Sequence, residues 1–312
     1  KQAYTEENKK ELDGVKVDEE EEGEVKITTV TIESDEAGKE LGKPKGHYIT
    51  IDFPELTHYD GEAMDNVSLI VGKVLKRLED VTEDKVVLVV GLGNRSVTPD
   101  ALGPKVTDKI MVTRHIKDLM PDAIEDDVRS VCTIAPGVLG ITGIETGEIV
   151  KSVVDRIKPD LVICVDALGS RKLDRVNRTI QIGDVGISPG AGVGNHRMQI
   201  NEESLGVKVI AVGVPTVVDA ATIANDTIDL LLDDLISKVE SGKDFYNMLK
   251  TVDKNEKNAL IREILTPYVG ELMVTPKDVD SIIEGLAKII ANGINIAVQP
   301  DMEMEEINKF MN

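Results

Sequence analysis

Four segments of this 312-residue chain are short apolar runs that stop at Gly, Asp or Pro: KVVLVVGLG (85–93), SVCTIAP (130–136), DLVICVDAL (160–168) and GVKVIAVGVP (206–215). Continuous Val, Ile and Leu without polar alternation is the pattern of a strand covered on both faces. NRTIQIGD (177–184) reads as a shorter strand of the same kind. Between these runs, helical spacing of apolar residues predicts helices over 103–118, 145–157 and 217–239. The second opens with Thr142-x-x-Glu145 and the third with Thr216-x-x-Asp219, both of which read as helix-start patterns. Strands and helices alternating in this way predict an α/β fold with a doubly wound, mostly parallel sheet.

The flanks are read differently. EVKITTVTIE (24–33) and KGHYITIDF (45–53) alternate apolar and polar residues, predicting two antiparallel strands in an N-terminal layer. Residues 61–79 form an entry helix, and helices near 257–266 and 276–291 close the chain. The polar residues 1–23, ending in the acidic run Asp18 to Glu22, read as a helix-plus-loop lead-in. Residues 243–256, charged and poorly patterned, read as a surface excursion, shortened or missing. The expected division is 1–83 for the lead-in, strand pair and entry helix, and 84–312 for the catalytic core with its C-terminal helices, within one integrated domain.

Charge and composition narrow the function. Lys and Arg total 36 against 57 Asp and Glu, a net charge of −21, which repels phosphate backbones and argues against direct nucleic-acid binding. No stretch approaches the roughly 20 uninterrupted apolar residues of a membrane span, and the start carries no signal-peptide pattern. Cys132 and Cys164 lie in apolar runs and read as reduced core cysteines, not as a disulfide or a catalytic thiol. The chain begins KQAYTEENKK, without Met.

In open α/β sheets, chemistry gathers beyond the carboxyl ends of the parallel strands. Three segments meet that description: GLGNRSVTPDALGP (91–104), VDALGS (165–170) and the glycine-rich GISPGAGVGNHR (186–197). Gly91-x-Gly93-x-x-Ser96 lacks the third glycine of a dinucleotide fingerprint, and no Gly-Lys-Ser/Thr of a phosphate loop follows it. Asp100 suits a helix start, with its carboxylate at the positive end of the dipole, as well as it suits catalysis. Asp166 follows five apolar residues at a buried strand's exit, where an ionised carboxylate is costly without partners. Two carboxylates facing one cleft can share a proton, one activating water while the other polarises a carbonyl. His115 and His196 read as ordinary solvent-facing or hydrogen-bonded histidines. No Gly-x-Ser-x-Gly elbow, zinc-binding HExxH or Cys–His pairing is present.

Several blocks together resemble the germination protease family of spore-forming bacteria: VVGLGNRSVTPDALGPKV (89–106), VTRHI (112–116), PGVLGITGIET (136–146), DALGSR (166–171), ISPGAGVGN (187–195), VGVPTVVDA (212–220) and LMVTPKDVD (272–280). They run in order along nearly the whole chain. The resemblance implies an endopeptidase that cuts small acid-soluble spore proteins, made as a self-processing zymogen, acting as a homotetramer in the forespore or spore-core cytoplasm, with no cofactor. It implies that Asp100 and Asp166 are the catalytic pair, and that KQAYTEENKK lies just downstream of the propeptide cleavage region. Gly190, Gly192, Gly194, Asn195 and His196 are the candidate substrate-binding residues, since glycine backbone N–H groups can approach a peptide closely. A narrower resemblance, limited to the core, is to hydrogenase-maturation endopeptidases. There Asp100 and Asp166 would be metal ligands, with His196 the nearest third.

Overall fold

The computed structural model describes residues 13–56, 60–120, 128–190, 198–238, 254–269 and 272–299, together with Met302, Glu306 and Ile307. Nine strands form one sheet: β1 (Val15–Glu22), β2 (Val25–Ile32), β3 (Gly46–Asp52), β4 (Val86–Gly91), β5 (Ser130–Ile134), β6 (Leu161–Ser170), β7 (Thr179–Gly183), β8 (Lys208–Asp219) and β9 (Met273–Val274). The helices are α1 (Asp35–Leu41), α2 (Gly61–Leu78), α3 (Leu102–Thr107), α4 (Arg114–Leu119), α5 (Leu139–Thr142), α6 (Thr146–Ile157), α7 (Glu202–Leu205), α8 (Ala220–Lys238), α9 (Lys254–Val269) and α10 (Val279–Val298).

The strand order is β1-β2-β3-β7-β8-β6-β4-β5, with β9 added to β8. Parallel pairing is confined to β5, β4, β6 and β8, and every other contact is antiparallel. The fold is therefore α/β with a mixed sheet, and the expectation of a mostly parallel one is corrected. The reason lies in the link 171–178, which is too short for the crossover that a parallel β7 would need. The N-terminal strands are not a separate layer, because β3 pairs with β7 and continues the same sheet.

The lead-in is corrected as well. Residues 15–22 are no helix or loop but a full strand, paired residue for residue with β2. Its acids are tolerable because β1 is an edge strand, where charge discourages further pairing. They are also matched: Arg77 donates to both oxygens of Glu20 at 2.7 and 2.9 Å, Lys26 to Glu19 at 2.9 Å, and Lys73 to Glu22. The single helix expected over 103–118 is two, α3 and α4, with Lys109 to Thr113 turning between them. The strand β8 continues through Asp219, three residues into the expected helix. Residues 1–12 and the greater part of 243–256 lie outside the described residues.

Alternate side chains of the parallel strands feed two apolar clusters. Val87, Val89, Ile163 and Val165 pack with α2, α3 and α10 on one face, while Leu88, Val90, Val162 and Cys164 pack with α6 and α7 on the other. Helix α10 is long and apolar enough to cross a membrane, yet most of it is buried against the core. It approaches α2 closely at Gly72 and Gly293, where an added Cβ on Gly293 would stand 2.5 Å from Val71. Within α10, Asn292 is fully buried, and neither amide atom has a hydrogen-bond partner among the described residues. Asn292→Leu keeps the number and branching of the side-chain heavy atoms and removes two unsatisfied polar atoms. It is expected to raise stability by about 1–2 kcal/mol in urea titration.

Candidate active site

β6 extends past its neighbour. Gly91, the last residue of β4, lies opposite Val165, so Asp166 is the first residue of β6 beyond the end of β4. The chain leaving β4 turns over that step: Leu92 N–H donates to the Val165 carbonyl at 2.8 Å. Gly93, at φ +112°, then admits the returning chain, since a Cβ there would lie 2.0 Å from the Asp100 carbonyl oxygen. Thr98–Asp100 form a single 3-10 turn with Pro99 in its first positions. The Asn94 N–H donates to Asp100 Oδ2 at 2.7 Å.

Asp100, on the turn that follows β4, is thus near enough to Asp166, at the exit of β6, for its charge to act on that carboxyl. Asp166 is only 5% exposed and accepts from its neighbour, the Ala167 N–H, at 2.9 Å. Burial, reinforced by the negative charge of Asp100, pushes its carboxyl up to about 7. The buried Cys164 thiol is pushed up in turn, by desolvation and then by Asp166, which suits an inert core cysteine. A carboxyl that keeps its proton near neutrality, beside a second one, is the arrangement for which acid and base roles separate.

The turn carrying Asp100 is held from outside β4. Thr216 Oγ1 on β8 donates to the Pro99 carbonyl at 2.8 Å, and Thr98 Oγ1 donates to Asp280 of α10 at 2.8 Å. Thr216 therefore does not open a helix, and the expected Thr216-x-x-Asp219 start is corrected: Asp219 ends β8, accepting from Ala221 N–H at 2.7 Å and from Arg262 at 2.6 Å. Glu145 is at the start of α6, but its side chain makes no capping bond. The Thr142 hydroxyl bonds Ile144 instead, so that capping box is absent too.

Of the candidate substrate-binding residues, Gly190 is described, in a turn at φ +71°. Gly192, Gly194, Asn195 and His196 lie outside the described residues. Among the described residues, no three His, Cys, Asp or Glu side chains are grouped to hold a metal ion. A cavity of about 670 Å³ lies close to the site, but neither Asp100 nor Asp166 lines it. Its lining includes Phe53, Leu56, Val218, Thr275 and Ile282, and Thr275 links it to the site by donating to the Thr216 carbonyl at 3.2 Å.

Known proteins place the chain in a family. The germination protease family model matches residues 1–249 and 233–311. A germination protease of Clostridium perfringens is 63% identical over 313 residues, covering all of this chain and 96% of the relative. Those of Clostridium tetani and Priestia megaterium are 55% and 40% identical, covering 100% and 97% of this chain and 97% and 91% of the relatives. With a family model matched along nearly its whole length and full-length relatives on both sides of 50% identity, the chain belongs to the germination protease family and is a peptidase of spore germination.

Proposed function

We propose that the chain is an aspartic-type endopeptidase that begins the degradation of small acid-soluble spore proteins, with Asp100 and Asp166 as its catalytic pair. The observation that carries this reading is a buried Asp166 whose carboxyl is raised to about 7 beside the Asp100 turn. Asp166, protonated near neutrality, donates to the peptide carbonyl as the tetrahedral intermediate forms. Asp100, held by the Asn94 N–H, takes a proton from the attacking water. As the intermediate collapses, the proton taken by Asp100 passes to the leaving amine and a hydroxyl of the diol returns its proton to Asp166, so the pair regains its starting charge.

The same proposal takes the enzyme to be a zymogen trimmed at its N-terminus, a homotetramer of the spore-core cytoplasm, and independent of any cofactor. The parallel part of the sheet, with acids at two strand ends, is the part we liken to the hydrogenase-maturation core. The metal-dependent alternative has no grouped ligand set among the described residues to support it.

The test is hydrolysis of a purified small acid-soluble spore protein across pH 5–9, with and without a chelator. Because Asp166 must hold its proton, the rate is expected to fall as the pH climbs through about 7. Chelation is expected to leave the rate unchanged. A rate abolished by chelator and restored by one divalent metal would sink the two-aspartate mechanism in favour of the metal-dependent one.

A further inference from the structure

The pairing of β6 with β8 slips once, beside the site. Leu168 lies opposite Pro215 but Gly169 lies opposite Val217, so Thr216 is an extra residue on β8 with no partner on β6. A β-bulge of this kind releases one residue from the ladder and re-aims its side chain. At Thr216 it does so in a fully buried position, at 1% exposure. The hydroxyl donates to the Pro99 carbonyl at 2.8 Å, while the backbone carbonyl accepts from Thr275 Oγ1 at 3.2 Å.

We infer that Thr216 is a positioning residue, whose bulged hydroxyl clamps the Pro99 carbonyl and so keeps Asp100 opposed to Asp166. The inference rests on the two-aspartate reading. Pro99 and Asp100 are joined by one peptide bond, so a bond to the Pro99 carbonyl fixes the plane from which the Asp100 side chain departs. The Asn94 N–H holds the carboxylate itself, and the Thr98–Asp280 bond holds the start of the turn. Thr216 is the contact that ties the turn to β8, whose Gly213 lies directly opposite Asp166. One strand thus sets both halves of the pair. Thr275 extends the clamp to the segment Met273–Thr275, since β9 pairs with Val218 and Asp219 just beyond the bulge.

Thr216→Val keeps the shape and loses the donor, leaving the Pro99 carbonyl unpaired. Turnover of a small acid-soluble spore protein should fall about tenfold in kcat with KM little changed, since misplacement of an acting group costs rate more than binding. The pH profile separates positioning from general weakening. Among the described titratable groups Asp100 bears on Asp166, which in turn bears on the Cys164 thiol. If Asp100 drifts away, Asp166 releases its proton more easily, and the alkaline limb should move down by about half a pH unit. Thr216→Ser retains the hydroxyl and should restore both kcat and the limb.

A folded Thr216→Val with wild-type kcat and an unmoved limb overturns the inference, as does a kcat loss that Thr216→Ser fails to repair. Should Thr216→Val not fold, Thr275→Val carries the test, with a smaller shift of the limb in the same direction; an unmoved limb there also overturns it. The aspartate reading fails separately: near-normal turnover in Asp100→Asn or Asp166→Asn removes the pair itself, whatever Thr216 does.

Discussion

Asp166→Asn and Asp100→Asn are each expected to lower turnover of a small acid-soluble spore protein by at least about a thousandfold while leaving the protein folded. Asparagine preserves shape and can donate a hydrogen bond, but it can neither give up nor accept the proton that the reaction moves. The two variants should differ in stability. Wild-type Asp166 holds its proton more tightly folded than unfolded, at about 7 against an ordinary 3.8. Its contribution is therefore fully present below about pH 4 and is lost as the pH rises towards 7, with no further change above. The difference between those values corresponds to roughly 4 kcal/mol at most. Asp166→Asn escapes that loss, so it should melt higher than the wild type at pH 8, with the difference shrinking as the pH falls and closing only below about pH 4. Inactive but stabilised is the usual signature of an acid retained for chemistry. Turnover within tenfold of the wild type in either folded variant would remove that residue from the mechanism.

Gly103→Ala is expected to damage the site through the backbone, and to be among the most destabilising single-methyl additions in the chain. An added Cβ at position 103 would stand 2.3 Å from the Leu92 carbonyl oxygen, 2.5 Å from the Leu92 nitrogen and 2.6 Å from the Val165 carbonyl oxygen. All three are main-chain atoms of the β4–β6 step that presents Asp166, so none can swing aside as a side chain would. The reciprocal approach is equally tight, since a Cβ on Gly91 would lie 2.2 Å from the Gly103 carbonyl oxygen. Relief requires α3 to lift from the strands, disturbing the Leu92–Val165 bond and the turn that carries Asp100. A loss of about 3 kcal/mol is expected in denaturant titration, with activity falling further than the unfolded fraction explains. A variant of wild-type stability and activity would mean that α3 sits less closely on the sheet than this structure has it.

The two effects mark where sequence reasoning reached and where it stopped. The buried strands were legible because a strand covered on both faces cannot avoid writing an unbroken apolar run, and β4, β5, β6 and β8 lie where those runs are. Asp166 was legible for the same reason, as a carboxyl at the end of such a run. Asp100 was conspicuous, yet the residues alone allowed a plain helix-start role. Its side chain in fact accepts from Asn94 N–H and acts on Asp166.

What misled was local pattern without partners. VKVDEEEE reads as solvated tail because its charges have nothing to pair with in one dimension. β2 supplies the ladder, Lys26 in that strand and Lys73 and Arg77 of α2 supply the countercharges, and the segment becomes an edge strand. Thr216-x-x-Asp219 reads as a helix start because a hydroxyl three residues before an acid often is one.

The sequence by itself determined that this chain builds an α/β core of aliphatic strands with acids at two strand ends, and its blocks carried the family likeness. Only the tertiary structure decided the sheet's mixed direction, the step that buries Asp166, and the bulge that turns Thr216 onto Pro99. The physical reason is that strand burial is set by each residue's own solvation, which composition and order record. Register, strand direction and close backbone approach are instead properties of pairs of segments far apart in the chain, and exist only once those segments meet.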